Sequence, residues 1–358
     1  MTLAGLLKVL DIRRSYGSSD RDIKGIAYDS RLVEKDFLFV AVRGFSVDGH
    51  DYIHDAISRG ATAIIAEQAL DLSDGSRDAW QAGTAYFEVP DSRKALADLS
   101  AAFYGKPSAR LSLVGITGTN GKTTTSYITR SIMIEAGMNA GLLGTISYMT
   151  GKEELNALNT TPESLDLQRY LKDMVSNNMD SAVMEVSSHA LALKRVEGCS
   201  FRVAAFTNFT QDHLDFHGTM DEYFDVKKSF FNFLDSSGTA VLNIDDPRIG
   251  ELPRKLHCKV VTCGLDERAE IRAANITEHR QGIPSGISFD VLMPDSTFSI
   301  DSAFVGSFNV YNILMSIGIT YALGIGEEAI KRGIKNAKPV RGRFERIDEG
   351  QNYLCIVD

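Results

Sequence analysis

Cysteine is scarce and scattered: the 358 residues hold four, Cys199, Cys258, Cys263 and Cys355, with no C-x-x-C pair among them. That spacing excludes a disulfide framework and a cysteine zinc site, and leaves ordinary reduced thiols. Positive charge is also short. Lys and Arg number 38 against 47 Asp and Glu, a net charge of -9, so a polyanionic ligand must be met by local cations and backbone amides, and nucleic acid is not an expected partner. No apolar run reaches the length of a membrane span. Leu3, Leu6, Leu7 and Leu10 are helically spaced, but Lys8 interrupts them and Asp11, Arg13 and Arg14 follow, which is neither a signal peptide nor a span. A cytoplasmic chain is the expectation. Its length suggests two or three domains, and 44% apolar with 24% charged residues is a globular composition.

Against these absences, Leu111 to Thr125 (LSLVGITGTNGKTTT) makes sense only around a polyphosphate. Leu111, Leu113, Val114 and Ile116 form a strand-length apolar run, Gly118-Thr119-Asn120-Gly121 turns the chain, and Lys122 opens a helical pattern running to Ala136. Glycines let backbone amides approach phosphate oxygens, the helix start adds partial positive charge and Lys122 a full one. Thr123 is placed to hold magnesium, with Thr124 beside it. Ile116 stands where the first glycine of G-x-x-x-x-G-K-[ST] belongs, so the flanking strand and helix identify this loop more than the pattern does.

Upstream, strands at Phe37 to Val42, Ala61 to Ala66 and Ala85 to Val89 alternate with a short helix at Asp51 to Arg59, a small α/β unit. Asp91 caps a helix with Leu96, Leu99 and Phe103 on one face, and Gly105-Lys106-Pro107 ends it. Two polar turns, Asp29-Ser30-Arg31 and Gly44 to Gly49, sit at strand ends, where ligand sites of α/β folds gather, although turn chemistry alone accounts for their composition.

Downstream, Thr160 and Glu163 fit a capping box ahead of the stripe Leu167, Tyr170, Leu171, Met174 and Val175. The strand Ser181 to Val186 delivers Glu185 at its end, the usual second acid of a phosphate-loop site, and Ser187-Ser188-His189 and Arg195 follow. After the strand Val203 to Phe206 come Asp212, His213, Asp215 and His217, dense enough in ligand types to suit a metal hydrolase. Lys227 lies on the next helix, where lysines are usually solvated. A hairpin is expected over Ile271 to Met293 with its turn at Gln281 to Gly286, then helices from Gly306 to Leu323 and Glu327 to Lys335, and a lone strand at Tyr353 to Val357. That lone strand cannot bury its faces by itself.

Five ordered motifs, GTNGKTTT (118–125), NTTP (159–162), EVSSH (185–189), TN leading to DHLDFHG (207–218) and GRFE (342–345), resemble the Mur ligase family, in particular the branch that adds the third residue of the peptidoglycan stem. The resemblance implies an α/β fold with a small N-terminal UDP-binding domain (1–107). A central ATP-binding domain of phosphate-loop type (108–340) follows, with a mostly parallel sheet and a hairpin region. Residues 341–358 would be a linker and the first strand of a C-terminal Rossmann-like domain otherwise absent, leaving a form that binds nucleotide but ligates poorly.

It further implies that Ser30 and the loop Phe45, Ser46, Val47 and Asp48 hold the uridine diphosphate. Asn159, Thr160, Thr161, Ser187 and Arg195 would hold the muramoyl peptide, Gly118 to Thr124 the ATP phosphates, and Asn309 and its neighbours the adenine. Thr123, Glu185, His213 and a carbamylated Lys227 would ligate Mg2+, and Arg343 would reach the phosphates. The implied partners are ATP, a UDP-N-acetylmuramoyl dipeptide and diaminopimelate or lysine, met by a monomer. Rival readings are a folylpolyglutamate or cyanophycin synthetase type of relative, a metal-dependent hydrolase built on Asp212 to His217, and a non-catalytic binder keeping only the UDP site.

Overall fold

The computed structural model describes residues 1–44, 47–69, 83–151, 154–281, 283–343, 345–347, 350–351 and 355–357. These form two compact units, one of Met1–Pro107, Pro162–Lys172 and Leu193–Cys199, the other of Ser108–Thr161, Asp173–Ala192 and Ser200–Asp358.

In the first unit a helix, α1 (Leu3–Leu7), precedes β1 (Arg14–Tyr16), β2 (Gly25–Ala27), β3 (Phe37–Val40), α2 (Ile53–Ser58), β4 (Ala61–Ala66), β5 (Ala85–Glu88) and α3 (Ser92–Phe103). The sheet order is β1-β5-β4-β3-β2, parallel except for β1 against β5. Its strands are nearly continuous apolar runs because both faces are covered: Leu38, Val40, Ile65 and Phe87 pack with Leu96 and Leu99 of α3, and Phe39 and Ile64 with Ala56 of α2. Asp91 caps α3 by accepting the Lys94 N–H at 2.9 Å.

The second unit is built on an eleven-stranded sheet in the order β16-β15-β14-β13-β12-β11-β6-β10-β7-β8-β9, with β17 and β18 paired in a separate two-stranded sheet. In chain order the strands and α-helices after α3 are β6 (Ser112–Thr117), α4 (Lys122–Glu135), β7 (Ala140–Leu143), β8 (Ser147–Met149), β9 (Glu154–Asn156), α5 (Ser164–Ser176, whose residues to Lys172 belong to the first unit), β10 (Ser181–Glu185), α6 (Ser188–Ala192), β11 (Phe201–Phe206), α7 (Leu214–His217) and α8 (Met220–Lys228). Then come β12 (Leu234–Asn243), β13 (Lys259–Gly264), β14 (Ile271–Gln281), β15 (Ile283–Leu292), β16 (Thr297–Ser302), α9 (Phe308–Ala322), α10 (Glu327–Asn336), β17 (Glu345–Ile347) and β18 (Cys355–Val357). The strands from β7 to β14 through the centre are parallel, and β14–β16 form an antiparallel meander. Ile128 and Ile132 of α4 and Ile313 and Ile317 of α9 close one core against Val114, Ile116, Val183 and Val241. Because β6 lies between β10 and β11, the C-terminal ends of three neighbouring strands deliver their loops to one place.

Three expectations need correction. α5 begins at Ser164, so Thr160 lies too far upstream to be its cap, and the Thr160 hydroxyl meets that of Thr145 at 3.2 Å instead. The hairpin turn is tighter than its polar composition suggests: pairing runs to Gln281↔Ile283, so Ile283 to Gly286 belong to a strand. The last strand is not alone, because Cys355–Val357 pairs antiparallel with Glu345–Ile347.

Candidate active site

The loop after β6 is pressed against the loop after β11. Gly118 has φ +145°, and a Cβ there would stand 1.9 Å from the Thr207 hydroxyl; Gly121, φ +82°, takes the left-handed conformation that starts α4. Lys122 folds back so that Nζ donates to the carbonyls of Gly118 and Thr119, both at 2.8 Å. Lys227, from the end of α8, donates to the same Gly118 carbonyl at 2.8 Å and is only 1% exposed. Tertiary packing thus overrides the usual solvated fate of a helical lysine. Burial is the main force pulling both amines below the ordinary lysine range, opposed at Lys122 by Glu185 and reinforced by the charge of Arg343, and reinforced at Lys227 by the charge of Lys122.

Glu185, at the end of β10, is fully buried. One carboxylate oxygen accepts the Thr145 N–H at 2.8 Å; the other accepts the hydroxyls of Thr123 at 2.9 Å and Thr145 at 3.0 Å. Hard oxygen donors from a carboxylate and two hydroxyls, beside a phosphate loop, fit Mg2+, which takes one or two carboxylates and completes its shell with water and phosphate oxygens.

The Asp212 to His217 stretch does not converge as a hydrolase site requires. His213 is exposed with φ +51°, and its ring packs edge-on against His189 at 4.8 Å. His217 turns inward and stacks on Tyr223 at 4.9 Å, and its Nε2 has no hydrogen-bond partner. Burial, with the nearby His189, Lys227 and His213, pushes it down to about 4. Asp215 faces outward. Among the described residues no three His, Cys, Asp or Glu side chains group as metal ligands.

Around the loop lies a cavity of about 1010 Å³, lined by Thr119 to Thr124, Thr160, Glu185, His213 and Arg343 of the expected residues. Gly118 turns only its carbonyl to the lysines, and Lys227 stands behind it. Asn309 is buried, bonded through its Oδ1 to Asn312, and it is Asn312 and Tyr311 that face the cavity. Thr161 donates to the Glu185 carbonyl at 2.8 Å and accepts the Ser187 N–H at 3.1 Å, and Asn159 is held by the Tyr148 hydroxyl. Arg195 pairs with Glu163 at 3.3 Å in the first unit. Sequence reading missed Thr145, Asp245 and Asp246. The last two follow β12, so their place at a parallel strand's C-terminal end was the available signal.

The first unit has its own cavity of about 470 Å³, lined in part by Tyr28, Ser30, Val47, Tyr52, Arg93 and Glu163. Asp48 does not line it: it accepts from the His50 N–H at 3.0 Å and pairs with His50 Nδ1 at 2.5 Å, between the lining residues Val47 and Gly49, and His50 Nε2 accepts the Glu67 N–H at 3.0 Å, which leaves the ring proton on Nδ1. Phe45 and Ser46 lie outside the described residues.

A glycine loop between a buried parallel strand and a helix, a half-buried lysine on it, and a strand-end carboxylate hydrogen-bonded to the loop threonine define a phosphate-loop nucleotide-binding enzyme. Comparison makes this specific. Residues 116–320 match the Mur ligase middle domain and residues 22–104 the Mur ligase family catalytic domain. The chain belongs to the Mur ligase family, whose members are ATP-dependent amide-bond ligases. It is 43% identical over 343 residues to the UDP-N-acetylmuramoyl-L-alanyl-D-glutamate--2,6-diaminopimelate ligase of Geobacillus thermodenitrificans, covering 94% of this chain and 67% of the relative. The ligase of the same name from Bacillus licheniformis is 43% identical over 365 residues, covering 100% and 72%. A solved structure of such a ligase superposes with a TM-score of 0.80 at 25% identity, over 97% of this chain and 69% of that one.

Proposed function

We propose that this chain serves peptidoglycan synthesis in the cytoplasm by joining 2,6-diaminopimelate, in preference to L-lysine, to the D-glutamate carboxyl of UDP-N-acetylmuramoyl-L-alanyl-D-glutamate. The convergence of Lys122, Thr123, Glu185 and Arg343 on one cavity carries this reading, and the names of its 43%-identical relatives supply the substrates. The D-glutamate carboxylate attacks the γ-phosphate of ATP in line, giving an acyl phosphate and ADP; the incoming amine then displaces phosphate. No covalent nucleophile is needed. Lys122 and Arg343 offset charge on the phosphates, and the wall formed by Asn312, Tyr311 and Met315 takes the adenine. Bound Mg2+ would neutralise phosphate charge, held by Thr123 and Glu185, with His213 at the cavity rim. Asn159, Thr160, Thr161, Ser187 and Arg195 are assigned to the muramoyl peptide, and Ser30 and the Val47–Asp48 turn to the uridine end.

Lys227 is assigned as a carbamate. Its buried amine, pulled toward the neutral form that adds carbon dioxide, would become an oxygen donor better suited to Mg2+ than an ammonium. Intact mass in bicarbonate tests this, and an unmodified lysine under saturating bicarbonate would overturn it.

Calorimetry with Mg-ADP and with the UDP-dipeptide tests the whole. Mg-ADP binding that disappears in Lys122→Ala is expected, and any tripeptide formed from ATP should contain diaminopimelate; failure of the parent chain to bind Mg-ADP would overturn the assignment. Light scattering should show a monomer.

A further inference from the structure

Two backbone N–H groups of the phosphate loop do not face the cavity. Thr119 N–H donates to the Asn208 carbonyl at 2.9 Å, and Asn120 N–H donates to the Asn208 side-chain oxygen at 2.8 Å. The Asn208 amide nitrogen returns a bond to the Asn120 carbonyl at 3.0 Å, where the Thr207 hydroxyl also donates, at 2.6 Å. Asn208 therefore grips the Asn120 residue as a β-strand partner would, on both its donor and its acceptor.

Further contacts show a built interface. Thr119 Oγ donates to the Thr210 carbonyl and accepts the Thr210 N–H, both at 3.1 Å, and the Asn243 side chain holds the Thr207 carbonyl at 2.8 Å. Gly118 has no Cβ because Thr207 occupies that space. This arrangement meets the sequence anomaly, an isoleucine at 116 where a longer phosphate loop has its first glycine. A loop that wraps phosphate with fewer residues has fewer internal bonds to hold its shape, so an outside partner must hold it.

We propose that Asn208 is a positioning residue for nucleotide: it fixes the Asn120 peptide so that the remaining amides, from Gly121 onward, and Lys122 point into the cavity together. The inference rests on the loop's being the nucleotide site, and goes beyond that assignment by naming what shapes it. Asn208 borders the cavity, and its side-chain hydrogen bonds go to the loop backbone at Asn120, on both N–H and C=O. Preorganisation of this kind appears in affinity, because a slack loop must be ordered when phosphate binds.

The test compares Asn208→Ala, Asn208→Asp and Thr210→Val in the full chain, by calorimetry with Mg-ADP and with adenosine, and by thermal unfolding. Asn208→Ala is expected to weaken Mg-ADP about ten- to a hundredfold, the range for two lost hydrogen bonds, while adenosine binding, which does not use the loop, changes less than about threefold. Asn208→Asp keeps the acceptor for Asn120 N–H, loses the donor and adds a negative charge, so it should weaken Mg-ADP further. Thr210 also lines the cavity, but Thr210→Val removes only a 3.5 Å side-chain hydrogen bond to Asn120 and should weaken Mg-ADP far less than Asn208→Ala. Equal Mg-ADP affinity of Asn208→Ala and parent, or equal losses for Mg-ADP and adenosine, would overturn the proposal. If Asn208→Ala does not fold, Asn208→Asp against Thr210→Val decides by the same ratio. A parent chain that binds adenosine but gains nothing from the diphosphate would instead overturn the nucleotide-loop assignment, and the inference with it.

Discussion

The two cavities are built on the same scaffold and from different chemistry. Each draws on loops of a twisted parallel sheet whose strands are buried apolar runs. Around the first, the charges of the turns are held at the surface, where Asp29 and Arg31 pair at 2.6 Å with Arg31 largely exposed and Arg43 pairs with Asp48 at 3.1 Å, and the inner pair, Arg93 and Glu163, is of opposite sign at 3.6 Å. Around the second, charge is taken inside, with Lys122, Lys227 and Glu185 packed against backbone and hydroxyl groups. Surface pairs fix the shape of a turn at little energetic cost or gain. A desolvated ammonium such as that of Lys122, held by backbone carbonyls, is strained until an anion arrives, which is what a site for ATP needs. Fold alone does not distinguish the two cavities; desolvated charge does.

That contrast can be broken first at Lys122. Lys122→Ala should lower ATP turnover at least about a hundredfold and remove Mg-ADP binding; a variant within threefold of the parent would show that the buried charge is not the phosphate ligand. Glu185→Gln comes next, with a loss of about ten- to a hundredfold in Mg2+ dependence of nucleotide binding, read by titrating Mg2+ at fixed ADP. Gly118→Ala forces a Cβ onto Thr207 at a left-handed φ, and should cost about 1–3 kcal/mol in urea unfolding together with nucleotide binding.

Arg31→Ala, in the surface-charged cavity, should raise the KM for the UDP-dipeptide several-fold with kcat unchanged, and leave the thermal midpoint where it was. A fall in kcat equal to the rise in KM would erase the distinction between the cavities. The smallest effect is a pH dependence. His217 is held below its ordinary value, so between about pH 6.5 and 4 the unfolded chain binds more protons than the folded one. Stability should therefore decline on acidification through that window, by about 1 kcal/mol given the partial access of water, and His217→Phe should flatten the decline.

Much of this molecule was legible in one dimension. The glycine loop, the Asp91 cap and the alternation of apolar strands with helical stripes follow from local rules, since φ preference, capping and periodicity act over a few residues. The same local logic failed where tertiary partners competed. Thr160 has the right neighbours for a cap, yet α5 starts later and its hydroxyl bonds Thr145. Four ligand-type residues between Asp212 and His217 read as one cluster, but a single helical turn sends His217 inward and Asp215 outward.

What the sequence determined by itself is therefore the family, the order of the elements and the identity of the phosphate loop, because those are written in residue type and spacing. Only the tertiary structure decided that Lys227 is buried on the same carbonyl as Lys122, that Thr145 holds Glu185, and that Asn208 grips the loop at Asn120. Each of these joins residues 40 to 109 positions apart, and a desolvated charge or a backbone clamp exists only once the strands between them have set the distance.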